Sequence, residues 1–425
     1  MLTTPYWWDG LWPILIPPRS LPANADVVIV GSGYTGLSAA LTLLKHGRSV
    51  VVLEARRVAE GASSRNGGMI GDLLKPSMAE LTARFGAEMA SRLCCECRDA
   101  LIRFPEFLAE YGIRCDFERC GRITGALSEA QLAGLLRESE AWRRVTGVQY
   151  EVVAKSDMRS ELGTDAYAGA RLYPHHAGLH PAKYVGELAR CALAAGAVIC
   201  ESTAFQSFEA TRDGLSIRTS AGRIKARDLV VATNGYTGPA GGRLRRRLIP
   251  VTSYMIATEE ITPELMATLM PRGRVITDTN RLLCYYRPSP DRKRILFGGR
   301  PSYTEITPQE SAKRLSAYLR TLFPALANVG LSHSWFGMIA YTFDRLPHVG
   351  KADGFHYAGG YCGSGVVMAT WLGRKVAHRI LGTSDGGTAF AEIAHPTHPL
   401  YRGWPWFLPL VQAGYQLTDL WERRH

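Results

Sequence analysis

A parallel α/β domain interleaved with an α+β domain on an antiparallel sheet is the fold class predicted for this 425-residue chain, and three observations predict it. The run Ala25 to Gly36, Ala-Asp-Val-Val-Ile-Val-Gly-Ser-Gly-Tyr-Thr-Gly, reads as a buried strand, a glycine turn and a helix start. Glu54 closes a second apolar strand, Ser49 to Leu53, eighteen residues after Gly36. Much later, Gly-Gly-Tyr-Cys-Gly-Ser-Gly from 359 to 365 sets up another glycine-rich helix start.

Each element follows from its residues. Asp26 to Val30 has the unbroken apolar run of a central parallel strand. Gly31 permits the tight turn, Gly33 admits a pyrophosphate close to the backbone, and Gly36 lets the helix Tyr34 to His46 pack on the strand. The loop and first-turn residues Ser32, Tyr34 and Thr35 place N–H groups at the positive helix end. Glu54 is expected to accept both ribose hydroxyls and to disfavour a 2′-phosphate, so the motif specifies an adenine dinucleotide.

Which dinucleotide is decided further along. From Ala55 and Arg56 through Ala62, Ser63, Asn66, Gly67, Gly68 and Met69 no third strand returns, and such a small-residue segment suits an extended cofactor. Gly67 and Gly68 would let backbone approach a flat ring. Asp228 to Ala232, followed by Thr233-Asn-Gly, reads as another central strand ending at the cofactor. Gly354 to Ala358 is a strand and Val366 to Leu381 a helix, whose start at Gly363, Ser364, Gly365 and Val366 aims N–H groups at an anion. A reduced flavin carries negative charge at its N1 and C2 carbonyl, so two glycine-rich helix starts argue for FAD over NAD.

The remaining chain alternates between two layers. A helical excursion runs to Tyr111, strands lie within Cys115 to Leu127, and a helix spans Glu129 to Val145. Helix Pro181 to Ala195 has proline at its first position and Gly196 after its end. Strands Ile249 to Thr258, Leu282 to Tyr286 and Arg294 to Gly298 form a second floor, against which helix Pro308 to Leu322 packs. The expected cofactor domain therefore comprises 22–92, 175–242 and 329–385, the substrate domain 93–174 and 243–328, and an aromatic tail follows at 386–425.

Composition narrows the class. With 46% hydrophobic residues the chain supports more than one core, and no run of some twenty apolar residues crosses a bilayer. The first residues lack the basic region of a secretory signal, and nine cysteines without a framework fit free thiols in a reducing cytoplasm. Cys94, Cys95 and Cys97 read as packing residues, and His180, before a helix-starting proline, as a cap rather than a metal ligand with His175 and His176. No metal is expected. The net charge of +12 is scattered arginine apart from Arg243, Arg245, Arg246 and Arg247, which suits a solvated loop; no continuous basic face interleaved with aromatics points to nucleic acid.

These motifs, with Leu53-Glu-Ala-Arg56, Gly61-Ala-Ser-Ser-Arg-Asn-Gly-Gly68, Gly178-Leu-His-Pro181 and Asp344-Arg-Leu-Pro-His-Val-Gly350, resemble the D-amino-acid oxidase superfamily over essentially the whole chain. The resemblance implies a Rossmann-type FAD domain and oxidation of a carbon–nitrogen bond in an amine or N-substituted amino acid. Hydride would pass to flavin N5, leaving an imine that water hydrolyses to an aldehyde or keto product and an amine. It also implies that Phe205 gives a backbone contact to adenine and that Ala232 and Thr233 end a strand at the cofactor. Departures matter as well. Cys362 and Ser364 replace a serine and a histidine of the family's late motif. Gly337 stands where sarcosine oxidases carry a tethering cysteine, so FAD is expected to be non-covalent; Leu296 stands where they carry an oxygen-activating lysine.

Substrate candidates come from the second floor. Tyr254, Tyr285, Tyr286, Trp335 and Phe336 offer an aromatic pocket that would favour a neutral amine, and each has ordinary core packing as its alternative. Arg300, Arg287 and Arg65 are candidates to grip a carboxylate, with a surface ion pair as the alternative for the first two. The acceptor is O2 or a carrier such as a quinone; a non-catalytic flavin-binding module is the rival from another class. The aromatic ends, Tyr6, Trp7, Trp8 and Trp12 and then Trp404, Trp406, Phe407, Tyr415 and Trp421, are expected to dock on the body or a second subunit, with peripheral membrane contact through Leu408 to Leu420 as the alternative.

Overall fold

The computed structural model describes residues 1–280, 283–302, 304–411 and 414. In chain order the first elements are β1 (Asn24–Val30), α1 (Tyr34–Lys45), β2 (Val50–Leu53), β3 (Met69–Ile70), α2 (Met78–Glu110), β4 (Arg122–Ala126), α3 (Glu129–Thr146), β5 (Glu151–Ala154), α4 (Met158–Glu161), β6 (Gly169–Tyr173) and β7 (Ala177–Gly178). Next come α5 (Pro181–Ala194), β8 (Val198–Cys200), β9 (Phe205–Thr211), β10 (Gly214–Thr219), β11 (Gly222–Val231), β12 (Ile249–Thr258), α6 (Pro263–Leu269), β13 (Val275–Asp278), β14 (Tyr285–Pro288) and β15 (Ile295–Gly299). The chain closes with α7 (Pro308–Leu322), β16 (Leu331–Tyr341), β17 (His348–Ala352), β18 (Phe355–Gly359) and α8 (Gly365–Leu381).

Two sheets carry the molecule. The first has the order β17-β18-β11-β1-β2-β8, with β9 and β10 attached beside β11. Its centre is parallel, Val28 lying opposite Val51 on one side and Leu229 on the other, and β1 and β2 are buried on both faces, as their apolar runs require. The second has the order β16-β12-β15-β14-β13-β4-β6-β5 and is antiparallel except where β13 meets β4. Chain segments alternate between the sheets, so each domain is assembled from separated stretches.

Three boundaries differ from the sequence reading. The stretch 329–385 was expected in the cofactor domain, yet β16 is the edge strand of the second sheet, paired along its length with β12, and the chain returns to the first sheet only at β17. The division at 92/93 falls inside α2, which runs unbroken by solvent loops from Met78 and only kinks at Gly86, φ +79°. A capping box at Ser77 and Glu80 starts that helix early. The strand expected at Leu282 to Tyr286 is β14, starting at Tyr285; Arg281 and Leu282 lie outside the described residues. The Asp278 carboxylate accepts the N–H groups of Asn280 (3.2 Å) and Cys284 (3.3 Å).

In the arginine cluster Arg243 and Arg246 are exposed, as in the solvated loop expected, and Arg245 and Arg247 are half-buried. Arg247 donates to the His395 carbonyl at 2.7 Å, Arg243 faces Asp353, and Arg246 reaches the Tyr401 carbonyl, so the cluster fastens the segment after α8. Phe407 packs with Phe343 and Tyr401, Trp404 and Trp406 are exposed, and Tyr415 and Trp421 lie outside the described residues. Among the described residues no helix is long and apolar enough to cross a membrane.

Candidate functional site

Most helices here satisfy their own first N–H groups. Ser77, Ser128, His180, Thr262 and Thr307 each accept a backbone N–H at the start of α2, α3, α5, α6 and α7. Among the described α-helices of seven residues or more, α1 and α8 alone begin without a capping side chain. Their unsatisfied donors and dipoles make two anion-seeking points. Both follow glycine loops.

Backbone contact holds these points in place. At Gly31, φ +106°, a Cβ would lie 3.0 Å from the Ala232 carbonyl oxygen, and at Gly36 one would lie 2.0 Å from the Gly31 oxygen. Helix α8 rests equally close on α1, since a Cβ at Gly373 would fall 2.4 Å from the Thr35 oxygen. A 2.6 Å hydrogen bond between the Thr35 and Tyr361 hydroxyls joins the two loops. Their relative position is thus set by main chain.

The segment after β2 wraps the first point. Glu54 Oε2 accepts the N–H (3.1 Å) and hydroxyl (2.6 Å) of Ser32, and Oε1 accepts the Arg56 N–H (3.1 Å). Ala55 and Arg56 are exposed, and the Thr203 N–H bonds the Glu54 carbonyl, bringing Phe205 at the start of β9 to the same end. The Ser63 hydroxyl accepts the Tyr34 N–H at 3.1 Å, beside Ala62. Asn66 fastens the loop: its amide donates to the Ala62 and Ser63 carbonyls and the Tyr34 hydroxyl, and its oxygen accepts the Gly68 N–H. Gly68, φ +64°, crosses 2.2 Å from the Leu179 oxygen, measured from a built Cβ, and Met69 opens β3 opposite Gly178. Thr233 bonds Thr237 after β11, while Gly363 (φ +94°), Ser364, Gly365 and Val366 start α8.

Alternation in the second sheet sorts the aromatic candidates. Tyr285 faces the glycine loop: its ring lies 3.0 Å from a Cβ built at Gly67, and its hydroxyl bonds Ser253 at 3.1 Å. Tyr286 points the other way into a core with Phe297 and Phe323, its hydroxyl on Tyr167, and Tyr254 lies in that core too, accepting the Ile306 N–H. Phe336 packs on Tyr254. Tyr254 and Tyr286 are therefore core residues rather than pocket walls, because strand period two sends them to the face covered by α6 and α7. Trp335 is fully buried on the other face and donates its ring N–H to the Arg65 carbonyl at 2.9 Å.

The arginines separate as clearly. Arg287 is buried and donates to the carbonyls of Gly68 (3.1 Å), Leu179 (2.8 Å) and Pro288 (3.2 Å), so it neither grips a carboxylate nor forms a surface pair. Arg65 spends its guanidinium on the Glu60 and Phe336 carbonyls and the Trp8 ring. Arg300 lies over the Tyr341 ring and reaches toward Gly363. Lys75, absent from the sequence reading, meets it there: a Cβ at Gly363 would lie 3.9 Å from both Arg300 Nη2 and Lys75 Cε. Lys75 keeps accessible surface, yet desolvation by surrounding protein is the largest influence on its ammonium. Both hold for a side chain on the wall of a cleft. That desolvation, then Arg300, pulls its pKa down to about 8. No periodicity or motif marks this lysine.

His180 caps α5 through Nδ1, while His175 (3.4 Å) and His176 (2.8 Å) share the buried Asp72 carboxylate. Burial raises the Asp72 pKa, and the two imidazoles outweigh it and hold the group below the usual carboxylate range. Cys94 and Cys97 are buried on α2, and all nine cysteines are free.

Parallel sheet, paired helix starts and a second antiparallel sheet define an FAD-dependent oxidoreductase. A family model described as DAO, FAD dependent oxidoreductase, matches residues 26–379, and the chain belongs to that family, with FAD as its cofactor. It is 33% identical over 402 residues to gamma-glutamylputrescine oxidoreductase of Escherichia coli (strain K12), covering 93% of each chain. It is 25% identical over 364 residues to glycine oxidase of Geobacillus kaustophilus (strain HTA426), covering 83% of this chain and 92% of the relative. The crystal structure of glycine oxidase from Geobacillus kaustophilus superposes with a TM-score of 0.75 at 23% identity, over 89% of this chain and 99% of that one. L-proline dehydrogenase from P.horikoshii superposes with a TM-score of 0.72 at 20% identity, over 93% and 99%. These two structures show the shared fold.

Proposed function

We propose that this chain oxidises the carbon–nitrogen bond of an amine that also carries a carboxylate, an amino acid or N-substituted amino acid, with FAD held non-covalently. One juxtaposition supports it most: Lys75 and Arg300, from separate elements, converge beside the uncapped start of α8. The α8 start serves the flavin end, and the two side-chain cations beside it favour a further anion, the substrate carboxylate.

The cofactor assignment rests on fit. N–H groups of Gly33, Thr35 and Gly36 at the start of α1, where the N-cap residue supplies no side chain, suit a pyrophosphate, and Glu54 suits ribose hydroxyls. The Tyr34 N–H is already taken by the Ser63 oxygen, so the pyrophosphate is left to its neighbours in this stretch. The Phe205 end of β9 suits adenine, and Ala62, Ser63, Asn66 to Met69, Thr233 and Gly363 to Val366 suit the flavin end. Gly337 offers no thiol for a tether. When bound, FAD accepts the hydride that leaves the carbon beside nitrogen. The protein's part is to hold the substrate carboxylate with Lys75 and Arg300, keep the amine in the partly apolar setting of Tyr285, and exclude water.

Anaerobic mixing with N-methyl amino acids, gamma-glutamyl amines and polyamines tests this. Acid-bearing amines should bleach the flavin and polyamines should not; the reverse order would defeat the carboxylate reading. Transfer to a carrier is the second reading for the acceptor, favoured by Leu296, which is buried against Trp335 with no cation at that position. Slow return of colour in air would agree.

Two variants bear on the site. Replacing Arg300 by Met should weaken binding of acetate or glutarate, read from perturbed flavin absorbance, about thirtyfold, as loss of roughly 2 kcal/mol of charge-assisted hydrogen bonding implies. In wild type the same affinity should fall as pH rises through about 8, because Lys75 is an ammonium below that value and neutral above it. The charged and titratable groups acting on it are Arg300, Cys362, Arg122 and Arg345, none a carboxylate. Glu54→Gln should raise the FAD dissociation constant about tenfold, by weakening the ribose acceptor by roughly 1.4 kcal/mol. Unchanged affinity would remove Glu54 from the site.

A further inference from the structure

We propose that residues 1–16 form a strap that positions the cofactor loop 59–66, with Trp8 acting through Ser64 as a positioning residue for FAD. The inference rests on the cofactor assignment above.

The strap is anchored at both ends, on different domains. Leu2 adds a rung to β16, the edge strand of the second sheet, its N–H bonded to the Ser332 carbonyl (2.7 Å) and its carbonyl accepting the Ser334 N–H (2.9 Å). Ile14 lies 3.5 Å from a Cβ built at Gly186 on α5, and Trp12, Ile14 and Ile16 pack on the first domain's core. Between the anchors Trp7 is fully buried with Met255, Leu296 and Trp335, edge-on to His180 at 4.9 Å. Burying one such side chain contributes on the order of 2 kcal/mol, enough to hold the segment down.

Trp8 then reaches the loop. Its ring N–H donates to Ser64 Oγ at 2.9 Å, and Ser64 in turn donates to the Ala59 carbonyl at 2.7 Å. Trp12 stacks on one side of the Trp8 ring at 4.1 Å, and the Arg65 guanidinium lies 4.6 Å from the same ring. From Ser64 the effect passes one residue to Ser63, whose hydroxyl meets the Tyr34 N–H at the start of α1, and two residues to Asn66, which ties the loop together. An aromatic segment from the start of the chain therefore sets where the loop sits relative to the first anion-seeking point.

Titration of flavin-stripped full-length protein with FAD, followed by flavin fluorescence, tests the strap, with thermal unfolding of the stripped protein as a second readout. Trp8→Phe keeps the ring and removes only the donor, and should raise the FAD dissociation constant about fivefold with the unfolding midpoint unchanged. Ser64→Ala removes that bond together with the one to Ala59 and should cost at least as much, and the double variant should be no worse than Ser64→Ala alone, since the Trp8 bond is already lost there. Trp8→Ala should be weaker still. Leu15→Ala, at a side chain 88% exposed on the strap, should bind as wild type does. FAD affinity within twofold of wild type in Trp8→Ala, whatever its midpoint, would overturn the proposal, as would additive losses in the double variant. Failure of the wild type to bind FAD would instead overturn the cofactor reading beneath it.

Discussion

Gly36→Ala is expected to yield a colourless protein whose affinity for FAD is lower by at least a hundredfold. The added Cβ would sit 2.0 Å from the Gly31 carbonyl oxygen and 3.2 Å from Ile29 Cγ2, and neither backbone nor a central-strand side chain can step aside. Relief requires α1 to lift from β1, which carries its uncapped N–H groups away from where the Gly31 turn presents them. Overpacking of this kind costs about 1–3 kcal/mol of stability. The loss of cofactor should exceed it, because the displaced atoms are those proposed to bind the pyrophosphate. Visible absorbance relative to protein absorbance, with far-ultraviolet circular dichroism to report folding, measures both. A folded Gly36→Ala protein carrying full flavin would contradict the assigned cradle.

Arg287→Met is expected to destabilise the protein by about 3 kcal/mol, since three buried carbonyls each lose a hydrogen bond at once, Gly68 keeping the Leu179 N–H. Two of them, Gly68 and Leu179, belong to a crossing where a Cβ at Gly68 would fall 2.2 Å from the Leu179 oxygen, and β3 pairs with β7 just beyond. Burial already disfavours the charge, lowering the guanidinium pKa, so the hydrogen bonds are what hold it in place. The denaturant midpoint should drop with an unchanged slope, while KM for an acid-bearing amine changes little in the protein that remains folded. A large rise in KM at unaltered stability would return Arg287 to the substrate site. Arg300→Met should behave the opposite way, losing carboxylate affinity and keeping the midpoint.

Much of the fold was legible because its signals are local. A valine-rich strand, glycines at 31, 33 and 36, and an acid after the next strand are constraints within some thirty residues, and β1, α1 and β2 appear within two residues of their expected ends. Proline at 181 and 308 likewise marked α5 and α7. The candidate pocket was far less legible. Tyr285 and Tyr286 are chemically identical neighbours, and only the placement of α6 and α7 on one side of the sheet tells which one meets the glycine loop. Arg65, Arg287 and Arg300 all follow suggestive residues, yet two of them bind carbonyls supplied by distant segments. Lys75 carried no pattern at all, and Trp8 stood out only as one of an aromatic run expected to dock on the body; each matters through a partner more than fifty residues away.

By itself the sequence determined the two helix starts, the strands β1 and β2 and the carboxylate at the end of β2, since backbone sterics and hydrophobic period act over neighbouring residues. The tertiary structure decided which side chains share a space: it brought Lys75 to Arg300, turned Tyr254 and Tyr286 inward, and laid Trp8 on Ser64. Facing is a property of packed layers, fixed when segments hundreds of residues apart bury their apolar sides together, and no local pattern encodes it.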